Sequence, residues 1–279
     1  ENHFHMTTTT ANAVKVMGLL EYYLQVEWPG LRVQVTSVTE QWAGMSIAGP
    51  QSRRVLEKLV DRDIGNEAFP FMAVAECRIA GIPGRLFRIS FSGELAYEVN
   101  VPADYGQAAW EALVAAGQEF DMVVYGIETL GALRVEKGHV AGPELDGRTT
   151  ADDLGLGKLV KRNKPVFIGK AMLEREVLAD PARPRLVGLK PADGRSWIRA
   201  GSQLIADPAA PLPMKMLGHV TSIAYSPELG HPIALALLSG GLEREGETLY
   251  AAFPLKGEML AVTVTSPHFV DPDGSRMYV

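Results

Sequence analysis

The chain reads as an α+β protein, with antiparallel sheets and helices in a cloverleaf arrangement followed by a small C-terminal β-barrel. Three observations carry that reading. Strand and helix patterns alternate over residues 1–180 without the regular spacing of a doubly wound sheet. From 185 onward the helical period disappears, and short apolar runs alternate with Gly and Pro turns. Between them, Asp180-Pro181-Ala182-Arg183-Pro184 has the prolines of a linker. Two domains are therefore expected, over 1–180 and 185–279, as the length of 279 residues also suggests.

Each element has its own signal. Phe4, Met6 and the threonines at 7–10 predict a strand, since β-branched side chains suit a pleated surface. With no partner in front of it, that strand reads as the start of a piece cut from a longer polypeptide. Val16, Leu19, Leu20 and Tyr23 recur at helical spacing and predict a helix over 13–25. Strands follow over 33–38 and 44–48, and Gly49-Pro50-Gln51-Ser52 opens a helix to about 59. Gly81-Ile82-Pro83-Gly84 marks a hairpin turn between two strands, and Ser92-Gly93-Glu94 interrupts the run from 85 to 101. Helices are expected over 105–117 and 126–137, the second closed by Gly138.

Composition excludes several classes of function. The 27 basic and 33 acidic residues leave a net charge of −6, a poor match for a phosphate-binding surface, so no nucleic-acid partner is expected. An apolar content of 47% excludes disorder. Cys77 is the only cysteine, which excludes an internal disulfide and a cysteine-based metal site. No apolar run reaches membrane-spanning length and no leader pattern is visible, so the reading is cytoplasmic, with no membrane partner.

Most chemical motifs give way to a plainer reading. Leu154-Gly155-Leu156-Gly157-Lys158 lacks the third glycine of a dinucleotide turn and the hydroxyl residue of a phosphate loop. His3 and His5 share a strand face without the carboxylates that would complete a metal site, so no metal ligand is assigned. No serine stands in a nucleophile elbow. Asp152-Asp153 is a carboxylate pair in which one acid could be pushed upward, but it suits the first turn of a helix or loop better. No catalytic residue is assigned within the chain.

Ser92-Gly93-Glu94-Leu95-Ala96-Tyr97-Glu98 carries more. Gly93 breaks the strand where the backbone needs positive φ or close approach, and Glu94 follows on an apolar segment. A buried carboxylate there needs adjacent donors, and the N–H and amino edge of a pterin supplies two. Phe87 offers a stacking face. A surface salt bridge at a β-bulge explains the same residues equally well. Arg134, in Leu133-Arg134-Val135-Glu136-Lys137-Gly138, is either an ion-pair anchor or a ligand contact.

These stretches, with Ala48-Gly49-Pro50-Gln51-Ser52 and Phe167-Ile168-Gly169-Lys170, resemble the folate-binding aminomethyltransferases, the T-protein of glycine cleavage and its relatives. Gly218-His219-Val220-Thr221-Ser222 and Tyr225-Ser226-Pro227-Glu228-Leu229 are similar to the family's C-terminal barrel signature. Within it, Met6-Thr7-Thr8-Thr9-Thr10-Ala11-Asn12 and Val38-Thr39-Glu40-Gln41-Trp42-Ala43 look most like the C-terminal part of the α subunits of heterotetrameric sarcosine oxidases.

The resemblance implies a tetrahydrofolate-binding module of a sarcosine-oxidising flavoenzyme complex. The imine product would pass its one-carbon unit to tetrahydrofolate, giving 5,10-methylenetetrahydrofolate. It also implies a flavoprotein β subunit and other subunits as partners, with FAD, FMN and NAD held outside this chain. Carried over residue by residue, Glu94 holds the pterin edge, Phe87 stacks on it, Thr9 lines the pocket where the family has asparagine, and Tyr97 and Arg134 complete the set. The family's catalytic aspartate falls before Glu1, and an arginine four residues before Arg134 is Leu130 here, so the isolated chain is expected to be inactive. The family's iron–sulfur maintenance branch carries a cysteine where His139 stands, which sets that branch aside. Two further readings remain: a non-catalytic domain packing against flavoprotein subunits, and a dimethylglycine-dehydrogenase-type folate module.

Overall fold

The computed structural model describes residues 2–279. They form two compact units that interleave along the chain, one comprising the residues up to Ile47 with Gln51–Ile89 and Tyr97–Met122, the other Ala48–Pro50, Ser90–Ala96 and Val123–Val279.

The first unit is built on a four-stranded sheet in the order β1-β4-β3-β2, with β1 Trp42–Ala48, β2 Val74–Ile79, β3 Ile82–Phe87 and β4 Ala96–Pro102. The β2–β3 and β3–β4 pairs are antiparallel. Leu86 pairs with Val99, and Tyr97, Val99 and Val101 are fully buried on that face with Phe69 and Leu56. The opposite face carries the Phe87–Glu98 and Arg85–Asn100 pairs and is half-exposed, as period-two alternation requires. Helix α2 Ser52–Glu57 buries Val55 and Leu56, and α3 Gly106–Gly117 buries Ala109, Leu113 and Ala116, one helical stripe.

Helix α1 covers Ala13–Tyr22 and continues as a π turn over Tyr23–Glu27, close to the expected 13–25. No residue of α1 is buried. The strands expected over 4–10 and 33–38 do not form. A strand needs a ladder partner for its N–H and C=O groups, and no described segment pairs with either stretch. The hairpin turn is tighter than expected: Ile79 pairs directly with Ile82, and Pro83 and Gly84 lie inside β3.

In the second unit, α4 Ile127–Lys137 ends on Gly138 in the left-handed conformation, with short helices α5 Lys170–Leu173 and α6 Glu176–Ala179 beyond it. Six strands then close a barrel in the order β10-β5-β8-β7-β6-β9: β5 Pro184–Pro191, β6 Gln203–Ile205, β7 Gly218–Ser226, β8 His231–Ser239, β9 Thr248–Phe253 and β10 Glu258–Thr265. Every pair is antiparallel, which bears out the antiparallel α+β fold with its C-terminal barrel.

Strand β8 is buried on both faces, which its near-continuous apolar run anticipates. Ala234, Ala236 and Leu238 point into the barrel with Val187, Leu189 and Val264. Ile233 and Leu235 point outward and pack with Val135 of α4. Among the described residues no helix is long and apolar enough to cross a membrane.

Candidate functional site

Glu94 sits on a bend in the second unit. Gly93 takes φ +86°, and the Ser90 hydroxyl accepts its N–H at 3.0 Å. A Cβ on Gly93 would lie 2.8 Å from Cδ and 2.9 Å from Cγ of Lys137, so both conformation and space require glycine here. The Leu95 carbonyl accepts the Gly49 N–H at 2.8 Å, which ties the bend to another of the quoted stretches, Ala48-Gly49-Pro50.

A cavity of about 150 Å³ opens beside this bend. The end of α4 supplies Leu133, Glu136 and Lys137 to its wall, the β7–β8 turn supplies Pro227 and Glu228, and the last turn of the chain supplies Asp271 and Arg276. Four of the lining groups are acids and two are bases, so the cavity favours donor-rich ligands over anions.

Polar contacts hold these walls together. Lys137 Nζ donates to the Asp271 carboxylate at 3.0 Å, with both side chains buried. Asp271 also accepts the Ser275 N–H at 3.0 Å and the Arg276 N–H at 3.1 Å. Burial alone would raise the Asp271 carboxyl, but the Ser275, Lys137 and Arg276 donors outweigh it and hold it down at about 2. The Ser226 hydroxyl donates to Glu136, whose carbonyl accepts the N–H groups of Phe269 and Val270.

Glu94 itself is about one quarter exposed, and Arg276 Nη1 donates to its Oε1 at 2.9 Å. Arg276 Nη2 donates to Glu228 Oε1 at 2.8 Å, and the two carboxylates raise the arginine above its ordinary value. Among the described residues no hydrogen bond reaches Glu94 Oε2, which leaves acceptor capacity for two adjacent donors.

Arg134 lies on the same helix but directs its guanidinium elsewhere. Nη1 donates to Glu144 Oε2 at 3.0 Å and Nη2 to the Ser222 hydroxyl at 2.6 Å, which in turn donates to Glu144 Oε1 at 2.6 Å. Glu144 has no exposed surface. A bulge in β7 between Val220 and Ser222 places the hydroxyl for this arrangement. Asp153 is likewise an ion-pair partner, of Arg183 at 2.6 Å, while Asp152 pairs with Arg162.

The remaining sequence-derived residues belong to the first unit. Phe87 is half-buried, with the His5 ring centroid 6.2 Å away, beside Glu98, whose carboxyl burial pushes up. Thr9 is exposed, and its hydroxyl accepts the Asn12 side-chain N–H at 2.9 Å. Tyr97 is fully buried on the other face of the sheet from Phe87, parallel to Phe69 at 6.4 Å, and its hydroxyl accepts from Arg53 at 3.1 Å. Sequence reasoning missed Arg276, Glu228 and Asp271. It also missed Phe91, which is 43% exposed and stacked on His139 at 5.9 Å. The turn-rich run Asp271-Pro272-Asp273-Gly274-Ser275 was the one signal for the first group.

The antiparallel α+β region and the closed six-stranded barrel are those of an aminomethyltransferase-type module. The chain belongs to the glycine cleavage T-protein family: the GCVT N-terminal domain matches residues 1–164 and the glycine cleavage T-protein C-terminal barrel domain matches residues 185–271. It is 50% identical to the sarcosine oxidase subunit alpha of Rhizobium meliloti (strain 1021), over the whole of this chain and 28% of that protein. It is 33% identical to an aminomethyltransferase of Streptomyces coelicolor over 74% of this chain and 54% of that one, and 32% identical to mouse mitochondrial dimethylglycine dehydrogenase over 78% and 24%. The crystal structure of the aminomethyltransferase T of the Bartonella henselae glycine cleavage system superposes with a TM-score of 0.76 at 26% identity, covering 94% of this chain and 67% of that one. The chain thus spans little more than a quarter of the sarcosine oxidase subunit it matches.

Proposed function

We infer that this chain is the tetrahydrofolate-binding module of a sarcosine-oxidising flavoenzyme complex, with Glu94 as the polar anchor of the pterin. The single observation that carries the reading is the Glu94 carboxylate, fixed on a glycine-dependent bend at a cavity wall with Oε2 unengaged. A carboxylate in that setting accepts two adjacent N–H groups and rejects anions.

Tetrahydrofolate would supply the two nucleophilic nitrogens that take up the methylene group from the imine of sarcosine, giving 5,10-methylenetetrahydrofolate as the C=N bond breaks and glycine leaves with its nitrogen. The chain's own part is to bind and orient the folate. Phe87 as stacking face, Thr9 as pocket lining and Tyr97 as support are proposals for the first unit that rest on the family resemblance. Arg134 serves from behind, by fixing the wall through Glu144 and Ser222. FAD, FMN and NAD, and a flavoprotein β subunit that binds this chain, are proposed for the complex outside it. We place the protein in the cytoplasm. We also keep 1–180 as the folate-binding region and 185–279 as the barrel domain. Sarcosine is preferred to dimethylglycine as the parent substrate on the higher identity, 50% against 32%.

The test supplies sarcosine and tetrahydrofolate to the full-length protein in its complex. The expected result is methylenetetrahydrofolate appearing faster than from an equal flux of free formaldehyde, because transfer within the protein avoids dilution. A rate equal to that of free condensation overturns the reading.

A further inference from the structure

We propose that the exposed arm over residues 155–185 of the second unit docks an acidic protein surface on another subunit, an inference that rests on the chain working inside a multi-subunit complex. No residue from 155 to 185 is buried, although Leu154 before it and Leu186 after it are. The arm includes α5 and α6 and leaves apolar side chains in solvent. Val166 is 79% exposed and Leu159 72%, and Ile168 and Met172 are exposed as well.

The same stretch is basic. Residues 158–173 hold Lys158, Lys161, Arg162, Lys164 and Lys170 and no acid, in a chain of net charge −6. Arg162 pairs with Asp152, and Lys170 Nζ donates to the Lys164 carbonyl at 2.7 Å and the Arg162 carbonyl at 3.3 Å. Lys158, Lys161 and Lys164 are exposed, and among the described residues no hydrogen bond or ion pair engages their side chains.

The arm has a defined shape nonetheless. Lys170 ties its middle together, and its base is closed at Asp152-Asp153. There Arg183 Nη2 donates to Asp153 Oδ2 at 2.6 Å, and the Asp153 carbonyl accepts the Leu186 N–H at 2.8 Å. Ordering such a stretch costs conformational entropy that its own burial does not offset. Exposed apolar side chains rimmed by charge are the make-up of an interaction surface.

The charge selects the occupant. Carboxylates around an apolar centre match this arm. Two copies of the chain meeting arm to arm about a twofold axis would set like charges against each other. A contact within one polypeptide forms at high effective concentration and has no need of steering. Unpaired surface charge instead speeds and selects a partner that arrives by diffusion. The occupant is therefore a separate, acidic chain.

The experiment treats the full-length protein in its complex with a water-soluble carbodiimide, which joins an amine to a carboxylate in contact with it, and locates the links by peptide mass spectrometry. Lys158, Lys161 or Lys164 should link to Asp or Glu of a different subunit, and less so at high salt. The Lys158→Glu/Lys161→Glu/Lys164→Glu variant should keep the wild-type melting midpoint and assemble about tenfold more weakly by sedimentation. The coupling needs no variant, so it tests the surface whatever the triple change does to folding. Links only to the lysines' own subunit or to a second copy of it, no links from these lysines, or assembly untouched by the triple reversal overturns the proposal. Neither readout uses sarcosine or folate, so those results leave the folate reading standing, and a complex that fails to bind folate leaves this surface standing. A full-length protein isolated without other subunits overturns the complex reading and this proposal with it.

Discussion

The stem of Lys137 fills the space that a side chain on Gly93 would need: a Cβ there would come within 2.8 Å of Cδ and 3.1 Å of Cβ of the lysine. Lys137 cannot move aside cheaply, because its ammonium is buried against Asp271. The bend that carries Glu94 is thus moulded onto the last turn of α4.

Gly93→Ala should therefore cost about 1–3 kcal/mol, from a non-glycine residue forced to positive φ and from the clash. Thermal melting and folinic acid titration together check this. Melting should fall and affinity should drop with it, since Glu94 is displaced. An unchanged melting midpoint would contradict the packing described here.

The Arg134–Glu144–Ser222 triad makes a different prediction. Glu144 is fully buried and both of its oxygens are engaged, Oε2 by Arg134 and the Ala141 N–H and Oε1 by Ser222. Glu144→Ala strands the guanidinium without its counter-charge and should cost about 3–5 kcal/mol. Denaturant unfolding measures it. A loss below about 1 kcal/mol, the size typical of exposed pairs, would mean the triad is solvated.

Acid stability should track Asp271. Its carboxyl is held at about 2, against an ordinary value of 3.8. A depressed folded-state value contributes stability that is complete above the unfolded value and is lost as pH falls through the folded one. Melting midpoints measured from pH about 4 down to about 2 should therefore fall more steeply for the wild type than for Asp271→Asn. Equal slopes would show that the Lys137 and Ser275 contacts do not favour the ionised form.

The sequence revealed those parts whose cause is local. The glycine stop after α4 and the break at Gly93 each follow from a few neighbouring residues, and the structure has both. The strands expected over 4–10 and 33–38 were misread for the complementary reason. Their composition suits a pleated surface, but a strand exists only where another segment completes its ladder. Arg276 was invisible for the same reason at longer range. The neighbouring run Asp271-Pro272-Asp273-Gly274-Ser275 signals a turn, but it does not indicate that the guanidinium will meet Glu94 and Glu228. Arg134 was legible as an arginine needing a partner, but Glu144 emerged only once the β7 bulge had placed Ser222 between them.

The most direct test of the central claim is the affinity of the full-length protein for folinic acid with and without the Glu94 carboxylate. Truncating one partner of a buried hydrogen-bonded charge pair typically costs about 2–5 kcal/mol, and a bound pterin would complete the burial of Glu94. Glu94→Ala should therefore bind on the order of 30-fold more weakly, or worse, with its fold intact by circular dichroism. An affinity within about threefold of the wild type would contradict the assignment of Glu94 as the pterin anchor.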